Sequence, residues 1–415
     1  MFVCGSAFGA AARSALFPGS PFIGAGAWRP EDGPAVEEVG WKFVRVAIGW
    51  HEVESPEKRL DWGQADARAQ SAAQAGLRVQ ITLNLAWPVQ KAAPYPLDDA
   101  ARLPSSAQGR SAMRRFVQEA VARYGSMAEA YGVEDDLSAA SFPGGPEAYG
   151  EELTLVSQCV RSADPDARVV FGAVAFDSME ADGRVFYLAD ALRSLGEGGA
   201  VFDAVELRLV GENALEDYRR VPAAVNHVYG QLADTAHRNA SVALIASSPS
   251  SAAGGGGEDD QAADLVRRAL TAASLGVSHF YWGGGPLPKK KAFHTARLLS
   301  RIEERYDLAR TRIIPRSPTL FHAQIRRANG GKDLEIVWRD YFASGQSFNS
   351  SASVELKKLD IEGPARQGLY ALSLVPDSDG TFPLRELTSK YFDLGGAPVA
   401  MSQDVECLNG LAAGP

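Results

Sequence analysis

An α/β fold, a (β/α)8 barrel followed by a C-terminal antiparallel β-sandwich, is the architecture this sequence predicts. Three observations predict it. Eight short apolar runs alternate with longer amphipathic segments over the first three quarters of the 415 residues, the arithmetic of a barrel of about 250 residues or more. Glycines stand where the helical patterns stop, as expected at helix C-termini. After Arg316 the pattern changes to short runs of period two separated by turn residues, which reads as an antiparallel sheet.

The eight expected strands are Phe22–Ala27, Phe43–Ile48, Val79–Leu85, Ala130–Glu134, Val169–Ala175, Ala204–Leu209, Val242–Ala246 and Ser278–Trp282. Several are near-continuous in β-branched and aromatic residues, as parallel strands covered on both faces should be. Between them, Ser111–Tyr124 places Met113, Phe116, Val117, Ala120 and Val121 on one helical stripe. Helices are also expected at Gln64–Ala75, Ala148–Ser162, Val185–Leu195, Val221–His237, Gln261–Leu275 and Ala292–Arg301, with stops at Gly76, Gly125, Gly196 and Gly276. A doubly wound open sheet is the alternative, but no Gly-x-Gly-x-x-Gly follows the first strand.

In the second region the expected strands are Phe321–Arg326, Leu334–Trp338, Ser353–Leu356, Tyr370–Leu374, Leu387–Tyr391 and Val399–Met401. The division that follows is an N-terminal segment 1–20, a barrel 21–310, a basic proline-containing linker Arg310–Arg316, a β-sandwich 316–402 and a loose tail 403–415.

Composition excludes several classes. The net charge of −9 and the absence of a basic run longer than Lys289-Lys290-Lys291 argue against nucleic acid as a partner. Cys4, Cys159 and Cys407 are too few and too far apart for a disulfide framework or a Cys-x-x-Cys metal site, and six scattered histidines offer no paired ligands. No metal and no cofactor is expected. No run of apolar residues is long enough to span a membrane. The first 21 residues are mildly apolar without a basic start, so the chain reads as soluble, either cytoplasmic or exported with a missing or atypical signal peptide.

The stretch Gly40-Trp41-Lys42-Phe43-Val44-Arg45-Val46, then Trp50-His51-Glu52-Val53-Glu54, Leu60-Asp61-Trp62 and Ala75-Gly76-Leu77 resembles clan A glycoside hydrolases, family 39 and its β-xylosidase-like relatives above all. Arg115-Phe116-Val117, Gly144-Gly145-Pro146-Glu147, Ala163-Asp164-Pro165, Phe202-Asp203-Ala204 and Gly276-Val277 with Trp282 continue the resemblance in order along the chain. It implies a barrel with two carboxylates at strand ends about 5–5.5 Å apart, one a proton donor and one a nucleophile. In that family the acid lies in an Asn-Glu-Pro after strand four and the nucleophilic Glu ends strand seven.

This chain departs from the family at both places. The strand-four motif falls on Tyr131-Gly132-Val133-Glu134-Asp135-Asp136-Leu137, so that Asp136 fills the acid slot and Asp135 the Asn slot. Asp is one methylene shorter than Glu, and a displacement of about 1 Å can cost about 10²-fold in rate. The strand-seven motif falls on Ala246-Ser247-Ser248-Pro249, leaving Ser247 in the nucleophile slot. A serine without a base is a poor nucleophile. A His-x-Tyr of strand six falls on Arg208-Leu209-Val210.

The resemblance therefore implies a catalytically inactive relative, with no catalytic residue expected at the degenerate slots Asp136 and Ser247. Its mouth would bind a saccharide or serve as a structural or interaction surface toward a protein partner. Candidate ligand-binding residues are Arg45, Trp50, Trp87, Asp135, Asp136, Arg208, Ser247, Tyr281 and Trp282. The alternative is a retaining hydrolase with Asp136 as acid/base and a relocated carboxylate. Glu134 is then a candidate acid, and Glu206 or Glu258-Asp259-Asp260 a candidate nucleophile. Set against this, Glu206 is expected to pair with Arg45 or Arg208, and Glu258–Asp260 to meet the N-terminus of the next helix. Lys289–Lys291 and His51 read as loop residues, and the four glycines of Ser247–Gly257 lack the order of a phosphate loop.

Overall fold

The computed structural model describes residues 22–99, 102–137, 142, 144–175, 187–196, 200–209, 217–246, 257–283, 290–340, 351–359, 368–389 and 391–413. Its first part is a closed parallel barrel of eight strands in sequential order: β1 (Ile23–Ala25), β2 (Phe43–Gly49), β3 (Arg78–Asn84), β4 (Ala128–Val133), β5 (Arg168–Ala175), β6 (Ala204–Leu209), β7 (Ser241–Ala246) and β8 (His279–Trp282). All eight expected strands are present, and β1 closes on β8 through Ile23 opposite Phe280 and Ala25 opposite Trp282.

The helices are α1 (Gly33–Val39), the single turn α2 (Trp50–Val53), α3 (Gly63–Gln74), α4 (Ala107–Tyr124), α5 (Gly145–Ala163), α6 (Tyr187–Leu195), α7 (Asp217–Leu232), α8 (Glu258–Ser274), α9 (Lys291–Arg305) and α10 (Val405–Ala412). Those between strands lay apolar stripes on the barrel. On α4, Met113, Phe116, Val117, Ala120 and Val121 are all buried, as their spacing predicts. Gly76, Gly196 and Gly276 take the left-handed conformation at helix ends. Gly125 does not; its φ is −55° and the chain continues right-handed.

Strands β4 and β5 approach unusually closely. A Cβ on Gly172 would lie 1.8 Å from the carbonyl oxygen of Val133, so only glycine fits there. This contact lies at the carboxyl end of β4, where the candidate site begins.

The second part has a six-stranded antiparallel sheet in the order β14-β13-β16-β11-β10-β9 and a two-stranded sheet, β12 with β15. The strands are β9 (Tyr306–Ser317), β10 (Leu320–Arg327), β11 (Leu334–Arg339), β12 (Ala352–Glu355), β13 (Leu369–Ser373), β14 (Leu384–Leu387), β15 (Tyr391–Leu394) and β16 (Val399–Ser402). Period two sorts their side chains. Val337, Leu369, Ala371 and Met401 pack with Val354, Phe392 and Leu394 between the sheets. Ile336, Trp338, Leu372 and Ala400 face the other way and join the core of the barrel helices.

Three sequence expectations are corrected here. The proposed linker Arg310–Arg316 is strand: β9 follows α9 without a loop and runs along the edge of the large sheet. An edge strand tolerates Pro315, because no further strand needs its missing N–H, and exposed arginines discourage pairing with another chain. The expected strand Leu387–Tyr391 is not one strand: Leu387 ends β14 and Tyr391 begins β15, which belong to different sheets. The tail is folded as far as Ala412: Leu408 and Leu411 of α10 are buried. Arg301 donates to Leu411 O, and Arg305 to Cys407 O and Gly410 O, at the end of that helix. Of these, the carbonyls of Gly410 and Leu411 are among the last four of the helix, which have no partner within it.

Among the described residues no helix is long and apolar enough to cross a membrane. None of their His, Cys, Asp and Glu side chains gather in threes to hold a metal.

Candidate ligand-binding site at the barrel mouth

Alternate residues of a barrel strand point inward. On β2 these are Phe43, Arg45 and Ala47. Phe43 and Arg45 are buried, whereas Ala47 is exposed between buried neighbours. The barrel is therefore filled up to the level of Arg45 and open above it.

Arg45 is the hinge between the filled and the open part. Its Nε lies 2.8 Å from Glu206 Oε1, and one Nη donates to Glu206 Oε2 at 2.9 Å. The same Nη lies 2.8 Å from Asp135 Oδ1, and the other donates to the carbonyl of Gly26 at 3.1 Å. Glu206 also accepts from the Gln80 amide at 2.8 Å, and Gln80 in turn accepts from the Tyr281 hydroxyl at 2.8 Å. A ladder Tyr281–Gln80–Glu206–Arg45–Asp135 thus crosses the barrel from β8 through β3, β6 and β2 to the segment after β4.

The electrostatics follow from this geometry. Burial opposes the charge on Arg45, but Glu206 and Asp135 more than offset it and hold the guanidinium above its ordinary range. Burial likewise pushes the Glu206 carboxyl up, against the pull of Arg45. Two donors from Arg45 and Gln80 on its oxygens decide for the ionised form. At Asp135 burial is overcome by Arg45 and then by Arg208, and its carboxyl sits below the ordinary Asp range. Asp135 is a fixed anion, 41% exposed at the mouth.

Asp136 is 33% exposed and lies 3.4 Å from the guanidinium of Arg208, which is 29% exposed and also donates to the carbonyl of Asp135 at 3.3 Å. Arg45, Asp135, Asp136 and Arg208 are therefore brought together at one rim, from three different strands. The pairing of Glu206 with Arg45 that the sequence suggested is present. So is the position of Glu258 and Asp259 at the start of α8, where Lys290 and Lys291 pair with them.

The aromatic candidates are placed otherwise. Trp50 is buried against Trp87, Tyr95 and Phe116, with its indole N–H on Glu54 at 2.7 Å. Trp87 is buried and donates to the carbonyl of Ala92. Tyr281 lies inside the barrel as the foot of the ladder, and Trp282 is buried beside Phe280. None of these four rings stands free at the mouth; each is packing or ladder. Ser247, Val210 and Lys289 lie outside the described residues.

Two further carboxyls lie near the rim: Glu134, a candidate acid in the alternative reading of the sequence, and Glu152, which the sequence reading missed. Glu134, the last residue before the acidic pair, has a φ of +62° and is buried. Its Oε1 accepts from the backbone N–H groups of Leu85 at 2.6 Å and Ala86 at 3.0 Å. Its carboxyl is pushed up to about 7: burial raises it most, the two backbone donors pull it part of the way down, and Asp135 adds to the rise. Glu152 of α5 is fully buried, and neither of its carboxyl oxygens has a hydrogen-bond partner. Burial, then Glu134, raises it well above the ordinary Glu range. A sequence signal for Glu152 existed: it occupies the core stripe Tyr149, Glu152, Leu153, Val156 of an otherwise apolar helix face.

No family model matches the chain, and no curated protein matches it in sequence. Solved structures match it in shape. A family 39 glycoside hydrolase from the gut symbiont Bacteroides cellulosilyticus WH2 superposes with a TM-score of 0.66 at 12% identity, covering 91% of this chain and 80% of that one. A glucosidase from Croceicoccus marinus gives 0.61 at 12% identity over 92% and 95% of the two chains. A monomeric β-xylosidase from Caulobacter crescentus CB15 gives 0.56 at 14% identity over 94% and 96%. The fold of this chain, barrel and C-terminal sheets together, is therefore that of family 39 and related glycoside hydrolases.

Proposed function

We propose that this protein is a catalytically inactive glycoside-hydrolase-like barrel that binds a saccharide at its mouth. The observation that carries this reading is the loss of the second carboxylate: from Ser241 through Gly257, across β7 and the residues after it, the sequence contains no Asp or Glu. Glycosidic cleavage by a retaining enzyme needs a carboxylate there, facing the one after strand four. The first carboxylate is also altered. Asp135 is held as an anion by Arg45 and so cannot donate a proton, and Asp136 stands beside Arg208.

What survives is a set of groups suited to hydroxyls. Two carboxylates accept hydrogen bonds and Arg208 donates them, and charge-assisted bonds are about twice as strong as neutral ones. The ladder beneath fixes their pose before a ligand arrives, which lowers the ordering cost of binding.

The test is a panel of neutral oligosaccharides and aryl β-glycosides offered to the full-length protein. Binding without turnover, weakened by Asp136→Asn and by Arg208→Ala, is the expected result. Turnover above background that Asp136→Asn abolishes would make the protein a hydrolase with a relocated nucleophile, a reading that the exposure of Asp136 at the rim favours. Neither binding nor turnover, with co-purification of another protein, would leave a structural subunit.

A further inference from the structure

The carboxylate of Glu54 takes no part in the ladder, yet its side chain is fully buried just after α2. Three observations tie it to the segment between β3 and α4, on the mouth face of the barrel. The first is the set of donors on its oxygens. Oε2 accepts from the Trp50 indole at 2.7 Å, and Oε1 accepts from the Tyr95 hydroxyl at 2.9 Å and from Arg115 at 3.3 Å. A buried carboxylate is costly unless it is paired and hydrogen-bonded, and these three bonds join α2, the β3–α4 loop and α4 at one side chain. Trp50 and Tyr95 also stack, with ring centroids 6.1 Å apart. The second is the closure of the loop on itself. Arg102 has a φ of +57°, a strained conformation for a residue with a side chain. Its carbonyl accepts from Trp87 N at 3.1 Å, its Nε donates to Trp87 O at 3.2 Å, and an Nη donates to Pro88 O at 3.3 Å. The third is the seat. A Cβ on Gly109 of α4 would lie 2.5 Å from the Cβ of Pro104 and 3.0 Å from that of Tyr95, so the loop packs down on α4 as closely as glycine allows. The near end of the loop meets the rim, since Leu85 and Ala86 donate to Glu134, the residue before Asp135.

We infer that Glu54 is a positioning residue that holds the β3–α4 loop down as a fixed wall of the mouth, formed before any ligand arrives, and that this loop does not work as a lid. A lid is drawn from segments with few bonds to the body of the protein. This loop is bonded at its neck by Arg102 and at its middle by Tyr95. Removing the charge at Glu54 leaves the Trp50 and Tyr95 donors with a weaker acceptor and loosens the loop from its middle outward. That the wall faces a saccharide rests on the reading of the mouth proposed above; that the loop is fixed does not.

Two measurements on the full-length chain test the wall without any sugar, so their failure is separable from failure of the binding reading. Hydrogen exchange is read at the amides of Trp87, Asp98 and Ser105, which bond within the loop, with those of Asp203 and Ser278 between barrel strands as reference. Glu54→Gln should speed exchange at the three loop amides about tenfold, the factor that a hydrogen bond to a charged group represents, and leave the reference amides unchanged. Tyr95→Phe, which removes one hydroxyl, should act in the same direction and more weakly. The Trp50 indole proton, which the carboxylate draws downfield, should move upfield in Glu54→Gln and stay in place in Tyr95→Phe, whose hydroxyl meets the other oxygen. The inference is overturned if the loop amides or the indole proton of Glu54→Gln behave as in the wild type, or if loop and reference amides speed up by the same factor, the mark of a general loss of stability. It is also overturned if a saccharide that binds the wild type slows the loop amides about tenfold and spares the reference pair, because that is the behaviour of a lid. Should Glu54→Gln fail to fold, Tyr95→Phe decides by the same exchange comparison.

Discussion

Two buried charge clusters lie within a few residues of each other at the top of this barrel, and they are built on opposite principles. Inside, Arg45 meets Glu206 and Asp135, with Gln80 and Tyr281 completing the chain of hydrogen bonds. Behind it, Glu134 accepts from the backbone N–H groups of Leu85 and Ala86, and Glu152 of α5 is buried with no hydrogen bond on its carboxyl oxygens. The inner cluster neutralises its charge with a partner of opposite sign, whereas burial pushes both outer carboxyls up, toward their protonated forms. The difference teaches where pH can act: an arginine keeps its charge at any physiological pH, whereas a buried carboxyl can gain or lose its proton.

The sharpest way to break the comparison is to remove the cation. Arg45→Met leaves Glu206 and Asp135 without it and should cost about 3–5 kcal/mol of stability in denaturant unfolding. Arg45→Met combined with Glu206→Leu should recover much of that loss, because the uncompensated charge goes with its partner.

Next is Glu152→Gln, which should raise stability at pH 8, because it removes a buried carboxyl that burial keeps from ionising. The sign follows from linkage. Glu134 and Glu152 have folded-state values above the ordinary Glu range, so the folded protein binds more protons than the unfolded chain. Their contribution is fully present below the ordinary Glu range and is lost as pH rises, that of Glu134 through about 7 and that of Glu152 through its own raised folded-state value. Thermal unfolding of the wild type from pH 5 to 8.5 should therefore show a decline that Glu152→Gln flattens.

Asp135→Asn should have a smaller effect, on the acid side. The folded-state value of Asp135 is depressed, so its contribution is present above the ordinary Asp range and disappears as pH falls through the folded value. With the side chain partly in solvent, the loss at pH 7 should stay near 1 kcal/mol. The zero of the scale is Lys290→Ala. Its bridge to Glu258 is half exposed, and such pairs are worth about 0–1 kcal/mol, so the unfolding midpoint should move little.

Much of this molecule was legible in its sequence. Eight apolar runs gave eight strands because a parallel barrel strand is buried on both faces, and burial leaves a composition that can be read residue by residue. The Arg45–Glu206 pair was legible for the same reason: an inward-facing charge on one strand demands an opposite one on another. The period of two after Arg316 announced the sheets. It misjudged β9, because exposed arginines and a proline mark an edge strand and a linker alike.

The site was less legible. Spacing alone could not show that Trp50 and Trp87 turn into the core beneath the rim, since an aromatic residue after a strand can face either way. Nothing in the sequence says that a left-handed turn at Glu134 aims its carboxyl at the N–H groups of Leu85 and Ala86, or that Glu152 is buried without a hydrogen bond. The sequence by itself determined the barrel, the sandwich and the missing strand-seven carboxylate, because these depend on pattern and on residue identity. Only the tertiary structure decided which charges share a partner and which carboxyls are buried without a cation beside them among the described residues, because that depends on distances across elements and on the water each group has lost.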